Sequence, residues 1–277
     1  MKQARVTSFE PELESSSQCI SSSSSAVFYP HDSPSKPLVE QDQWEESKQL
    51  KCEEFARAVS LGLCDYMRKS HSKGFVVSLS GGADSGTVAC LVRIMGELGA
   101  TELGVDTLAG RLGLAIKAPS VSKLMAGILT CVYQRTKNSS ETTETAACEL
   151  ATALNATYYR FDVDTLVDDY VQLVTGATPH QLNWESSDLA LQNVQARARV
   201  PGVWLVANIE SKLLLSTSNR SEAAVGYATM DGDTAGGLSP IAGVDKHFVN
   251  RWLRWLETEG LNGFSVWPVL CLLYTSP

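Results

Sequence analysis

The sequence is short of the features that mark several large classes of protein. Its seven cysteines are odd in number and contain no Cys-x-x-Cys pair. Neither a zinc ribbon nor a disulfide framework is expected, and a reducing compartment is. The four histidines (His31, His71, His180 and His247) are scattered, so no histidine metal cluster is expected. There is no apolar run of about 18 residues, the length a membrane span needs, and no apolar signal core at the N-terminus. Positive charge is scarce too: 23 Lys and Arg against 31 Asp and Glu leave a net charge of −8. Nucleic acid as the main partner calls for a basic face and is not expected, whereas a small anion needs only a few local donors. The expectation is a cytoplasmic enzyme.

What is present falls into unlike parts. The 277 residues are 44% hydrophobic, enough to bury a sizeable core. Residues 1–45 stand apart, because ESSSQCISSSSSAVFYPHDSPSKP (14–37) is rich in serine and proline and has no apolar periodicity. It reads as a flexible linker or arm. From residue 46 to 262 the pattern is that of a folded domain. Leu50, Phe55, Val59, Leu63 and Met67 recur at helical spacing. GFVVSLS (74–80) is a short buried strand, and Val88, Leu91, Val92 and Met95 return to helical period. GILTCVYQ (127–134), TYYRFDV (157–163) and KLLLSTSN (212–219) are further strands. Helices are expected between them. One starts at a capping box of Asn138 and Glu141, and a long one over 189–209 is split by Pro201. Residues 101–126 read as an inserted helical excursion. Alternating strands and helices predict an α/β fold with a parallel, doubly wound sheet, whose ligands bind at the carboxyl ends of the strands.

The chemistry is concentrated at two of those strand ends. SGGADS (80–85) follows the first strand and opens a helix. Gly81 and Gly82 let a ligand approach the backbone, and the helix start offers free N–H groups and a positive dipole end. Ser80 and Ser85 add hydroxyls. This is a cradle for phosphate, although no Gly-Lys-Ser/Thr follows it as in a Walker A loop. Asp84 suits such a place when a divalent cation bridges carboxylate and phosphate. The second strand end is STSNRSE (216–222), where Glu222 can share that cation.

Ser-Gly-Gly-Ala-Asp-Ser resembles the PP-loop of the ATP pyrophosphatases, which split ATP into AMP and pyrophosphate. The later stretches narrow the match. NVQAR (193–197), TSNRSE (217–222), Gly226, Gly232-Asp233 and Lys246 are similar, in order, to NAD synthetases, and closest to their glutamine-dependent branch. The resemblance implies the adenine nucleotide alpha-hydrolase-like fold. It also implies a ligase that amidates deamido-NAD to NAD through an NAD-adenylate, releasing AMP and pyrophosphate. By the same resemblance Ser80, Gly81, Gly82, Asp84, Ser85 and Thr217 bind ATP, and Asp84 and Glu222 hold Mg2+. Asn193, Arg197, Asp233 and Lys246 bind deamido-NAD, with Asp84 and Lys246 as the catalytic pair. A homo-oligomer is implied as well. Each residue also has a plainer reading: Glu222 as a first-turn helix acid, Arg197 as a surface ion pair, Asp233 as a turn aspartate, and Lys246 as a solvated lysine.

Two departures from the family pattern qualify the match. Glutamine-dependent relatives carry a glutaminase (carbon–nitrogen hydrolase) domain that supplies ammonia. Residues 1–45 are too short for it, so a fragment of a longer enzyme is expected. Residues 263–277, ending CLLYTSP, read as a non-native tail in which Leu270, Leu272 and Leu273 form an exposed sticky surface. Two other readings stay open on sequence grounds: another PP-loop amidotransferase such as GMP synthetase, and a nucleotide-binding fragment without catalysis.

Overall fold

The structure is a computed structural model that describes residues 42–115 and 120–261 together with Leu270 and Leu273. The expected arm and most of the expected tail lie outside the described residues. The unit Gln43–Pro277 is described by itself.

Four parallel strands form one sheet: β1 (Phe75–Ser78), β2 (Leu129–Arg135), β3 (Thr157–Asp162) and β4 (Leu213–Leu215), in the order β3-β2-β1-β4. Val77 of β1 lies opposite Cys131 on one side and Leu215 on the other. The chain steps outward from β1 to β3, then returns to place β4 on the opposite side of β1. That reversal makes the gap between the ends of β1 and β4 the switch point of the sheet, where α/β folds open a crevice.

The two faces of the sheet are covered unequally. On one face lie α1 (Leu50–Ser70), α2 (Ala83–Leu103), α3 (Val105–Arg111), α4 (Val121–Ile128), α5 (Glu141–Ala153) and α10 (Lys246–Thr258). Helices α1 and α10 both pack on α2, so α2 is buried almost all round and shows little amphipathic pattern. The apolar face of α1 is rotated from the expected one. Leu50 is exposed, while Cys52, Ala56, Ser60, Leu63 and Met67 are buried. The small residues let α2 come close, and Ser60 Oγ donates to the Leu91 carbonyl at 3.2 Å. Trp252 of α10 is fully buried, edge-on to Phe55 at 5.4 Å, with its indole N–H on the Cys52 carbonyl.

The other face carries α6 (Asp164–Ala177), α7 (Asp188–Ala198) and α8 (Val200–Ile209), and Val203 and Ala207 of α8 meet Val76, Val132 and Leu214. Pro201 splits the expected long helix, with Arg199 at the junction between α7 and α8. The excursion over 101–126 is helical in its described part, made of the end of α2, α3 and the start of α4. Helix α9 (Arg220–Val225) follows β4.

Two expectations are corrected. Helix α5 starts two residues later than the Asn138–Glu141 box would place it: Ser140 is its cap and accepts from the Thr143 N–H at 3.2 Å. Asn138 belongs instead to a turn closed by Ser139 N–H on the Thr136 carbonyl. Leu270 and Leu273 are buried in the main core, 0% and 3% exposed, rather than forming a sticky surface. Leu273 reaches the bare Cα of Gly86 in α2, where a side chain would collide with it.

Candidate functional site

The backbone after β1 stays in the sheet for one more bond, Leu79 N–H to the Val132 carbonyl at 2.9 Å, and then turns sharply. Gly81 makes that turn at φ +79°, a region costly to any residue with a side chain. A Cβ there would lie 2.2 Å from the Thr143 carbonyl oxygen in the first turn of α5. Gly81 is therefore demanded by the fold itself, before any ligand is considered. Ser80 and Ser85 knit the turn together. Their hydroxyls meet at 3.0 Å, Ser85 Oγ accepts from the Ser80 N–H at 3.1 Å, and Ser80 Oγ accepts from the Gly82 N–H at 3.2 Å. The result is a stiff turn that presents the N-terminus of α2.

Asp84 sits in the first turn of α2 with its carboxylate doubly engaged. Oδ1 accepts from Asn219 Nδ2 at 3.0 Å, and Oδ2 accepts from the Lys246 ammonium. Lys246 is the first residue of α10, held there also by its N–H on Ser221 Oγ at 3.0 Å. Asn219 and Glu222 form the capping box of α9. The Asn219 side-chain oxygen accepts from the N–H groups of Ser221 and Glu222, and Glu222 Oε2 accepts from the Asn219 N–H at 3.1 Å. Burial pushes the Glu222 carboxyl above its ordinary value and the charge of Asp84 adds to this, outweighing the Asn219 N–H and Lys246.

Ser80, Asp84, Ser85, Thr217, Glu222 and Asp233 line one cavity of about 230 Å³ at the switch point. Asp233 arrives there because the glycine-flanked loop runs alongside β4. Gly237 N–H donates to the Leu214 carbonyl and Ser216 N–H to the Leu238 carbonyl, both within sheet-bond range at 2.8 and 2.9 Å. Asn193 lies in a neighbouring groove of about 420 Å³ that shares Arg199 and Asp233 with the cavity. Arg197 lines neither. It is exposed, and its Nε donates to the Met230 carbonyl at 3.1 Å, while Asn193 Oδ1 accepts from Thr229 at 3.2 Å. These two residues together brace the 229–230 turn.

Sequence reasoning passed over Arg199 and the linking role of Asn219. Arg199 faces both hollows, and its Nε is buried without a hydrogen-bond partner. Asn219 carries a legible signal, an Asn three residues before a Glu at a strand end, which is the capping-box spacing.

The donor set suits a hard divalent cation. Asp84 and Glu222, in the first turns of α2 and α9, line one cavity, and Asp84 already draws an ammonium. Among the described residues no group of three or more His, Cys, Asp or Glu is placed to hold a metal. Two carboxylates are the usual protein share for Mg2+, with phosphate oxygens and water completing the shell. The five described cysteines are free thiols, and burial pushes Cys131 up to about 12. None of them lines the cavity. Among the described residues no helix is long and apolar enough to cross a membrane.

Comparison with known proteins supplies the context for this geometry. The NAD synthase family model matches residues 55–259. A glutamine-dependent NAD(+) synthetase from Bos taurus is 32% identical over 243 residues, 78% of this chain and 33% of that protein. One from Arabidopsis thaliana is 32% identical over 229 residues, 75% of this chain and 32% of that protein. The chain thus spans about a third of the length of the curated relatives it matches. Among solved structures, a glutamine-dependent NAD(+) synthetase from Cytophaga hutchinsonii superposes with TM-score 0.73 at 45% identity, covering 80% of this chain and 41% of that one. An NH3-dependent NAD synthetase from Campylobacter jejuni shares the fold, with TM-score 0.55 at 21% identity over 77% of this chain and 80% of that one.

Proposed function

The chain belongs to the NAD synthase family, and on that premise we propose that the cavity between β1 and β4 amidates deamido-NAD to NAD at the expense of ATP. The observation that carries this reading is the meeting of Asp84 and Glu222, from the loops of neighbouring strands, beside a glycine turn and a helix N-terminus.

A carboxylate is a poor acyl donor because oxide is a poor leaving group. Adenylation supplies a better one. The nicotinate carboxylate of deamido-NAD attacks the α-phosphorus of ATP and pyrophosphate departs with the bonding electron pair. Ammonia then attacks the acyl carbon of the NAD-adenylate, and AMP leaves carrying the former carboxylate oxygen. No protein nucleophile is needed, so the chain works by positioning and electrostatics. The Ser80–Gly82 turn and the N-terminus of α2 hold phosphate oxygens, with Ser85 stiffening the turn. Thr217 contributes a hydroxyl to the nucleotide. Asp84 and Glu222 would hold Mg2+, which when bound supplies charge against the departing pyrophosphate. Lys246 brings a second positive charge to the same carboxylate. Asn193 and Asp233 face the groove beside the cavity, where the dinucleotide extends, and Arg197 braces its wall.

In this reading a carbon–nitrogen hydrolase domain supplies the ammonia from glutamine, and the setting is the cytoplasm, in keeping with the free thiols. Exposed apolar residues on α6 and α8, among them Leu173, Leu205 and Ile209, support self-association into a homo-oligomer.

The test supplies the chain with deamido-NAD, ATP and magnesium, with either ammonium or glutamine. NAD, AMP and pyrophosphate are expected in equal amounts with ammonium. ADP and phosphate in their place, or no AMP from a folded sample, contradict the reading.

A further inference from the structure

Both polar atoms of the Asn219 side chain are engaged, the amide nitrogen by the Asp84 carboxylate and the amide oxygen by the backbone of the turn that carries Glu222. Its amide nitrogen donates to Asp84 Oδ1 at 3.0 Å. Its amide oxygen accepts from the Ser221 and Glu222 N–H groups at 2.8 and 3.1 Å, fixing the first turn of the helix that carries Glu222. Its own backbone N–H donates to Glu222 Oε2 at 3.1 Å. The residue is 1% exposed, so these bonds are made in a place where water competes poorly. An amide is suited to the position because it donates and accepts at once while staying neutral. It orients Asp84 without cancelling the charge a cation needs. Lys246 also holds Asp84, but through a flexible, charged side chain that is 43% exposed.

We propose that Asn219 is the positioning residue that sets the separation and orientation of Asp84 and Glu222 for one shared cation. This rests on the reading of that pair as the magnesium site. Two like charges brought into one cavity repel, and Asn219 holds both, Asp84 through its side-chain amide and Glu222 through its backbone N–H. Outer partners of metal ligands usually govern affinity about 10- to 100-fold, and a loss in that range is expected here.

The test uses Asn219→Ser and Asn219→Thr. Both keep a capping oxygen for α9, and their shorter side chains lose the amide nitrogen that reaches Asp84. Magnesium is titrated calorimetrically into the 277-residue chain saturated with α,β-methylene-ATP, which cannot be split at the relevant bond. Both variants are expected to bind magnesium about 10- to 100-fold more weakly. Their thermal midpoints without magnesium should stay close to that of the unaltered chain. Unchanged magnesium affinity overturns the proposal. Loss of folding in both variants also overturns it, since the bond from Asn219 to Asp84 then serves the fold rather than the setting of the two carboxylates. Asp84→Asn and Glu222→Gln separate the two levels of the argument. If these lose magnesium while the Asn219 variants keep it, only the positioning role fails. If they bind magnesium as the unaltered chain does, the magnesium reading fails and the positioning role falls with it.

Discussion

At the scale of single residues, the candidate site is built on atoms that the fold itself demands. Gly81 is the sharpest case. Its φ of +79° and the 2.2 Å approach of a would-be Cβ to the Thr143 carbonyl leave no room for a side chain. Gly81→Ala is expected to cost about 2 kcal/mol or more, seen as a lower urea midpoint, because positive φ is strained and the colliding atom is backbone. The glycine pair was legible in the sequence as a turn before a helix. Its partner was not, since Thr143 belongs to a distant helix and only tertiary packing brings it there. Asp84 behaves differently. Asp84→Asn keeps the volume and is expected to fold, yet to lower magnesium-dependent AMP formation about 100-fold or more, because a cation's contribution to the departing charge is worth several kcal/mol. Near-normal rates in this variant would remove Asp84 from the metal site. The roles assigned to Thr217, Asp233 and Lys246 came from the order of motifs along the chain. Their convergence on one end of the sheet depends on loops whose paths the sequence does not state.

At the scale of elements, one local signal was present twice and meant different things. Asn-x-x-Glu occurs at 138–141 and at 219–222. Only the second is a capping box, because only there does the Asn take the extended conformation directly before a helix. At the first, Ser139 closes a turn and leaves Ser140 to cap α5. Ser140→Ala should therefore lower stability by about 1 kcal/mol, the usual worth of a serine cap. Asn138→Ala should change it by less than about 0.5 kcal/mol. Equal effects in denaturant titrations would contradict the assignment. Helix α10 offers a larger effect. Trp252 is fully buried against Phe55 and bonds the Cys52 carbonyl, so Trp252→Ala is expected to cost about 3–5 kcal/mol. The strands and most helices were legible from apolar period alone. The face of α1 was not, because Ala56 and Ser60 mark it by smallness rather than by hydrophobicity.

At the scale of the whole molecule, the sheet order places the candidate site at one end of the strands and a structural clip at the other. Parallel pairing was legible from the alternation of strands and helices. The order β3-β2-β1-β4, which creates the switch point, was not spelled out by any local pattern. At the amino ends of the strands, Glu210, Lys212 and Thr130 join α8, β4 and β2. Thr130 donates to Glu210 at 2.6 Å and Lys212 pairs with Glu210 at 2.7 Å. Burial alone pushes the Glu210 carboxyl up, but the hydrogen bonds from Lys212 and Thr130 and the lysine charge outweigh it and hold it below its ordinary value. A depressed carboxyl stabilises the fold above its unfolded value and loses that contribution as pH falls through the folded one. The stability gap between the unaltered chain and Glu210→Gln should thus be full at neutral pH and close in the acid range below 4.5. A gap that widens on acidification would contradict the clip.

The central claim is that a carboxylate is adenylated in the cavity between β1 and β4 and then displaced by ammonia. Deamido-NAD labelled with 18O in its nicotinate carboxylate, supplied with ATP, magnesium and ammonium, tests it by mass spectrometry of the products. The account predicts one labelled oxygen in the phosphate of AMP and none in pyrophosphate. Unlabelled AMP, or label in pyrophosphate or inorganic phosphate, would contradict it.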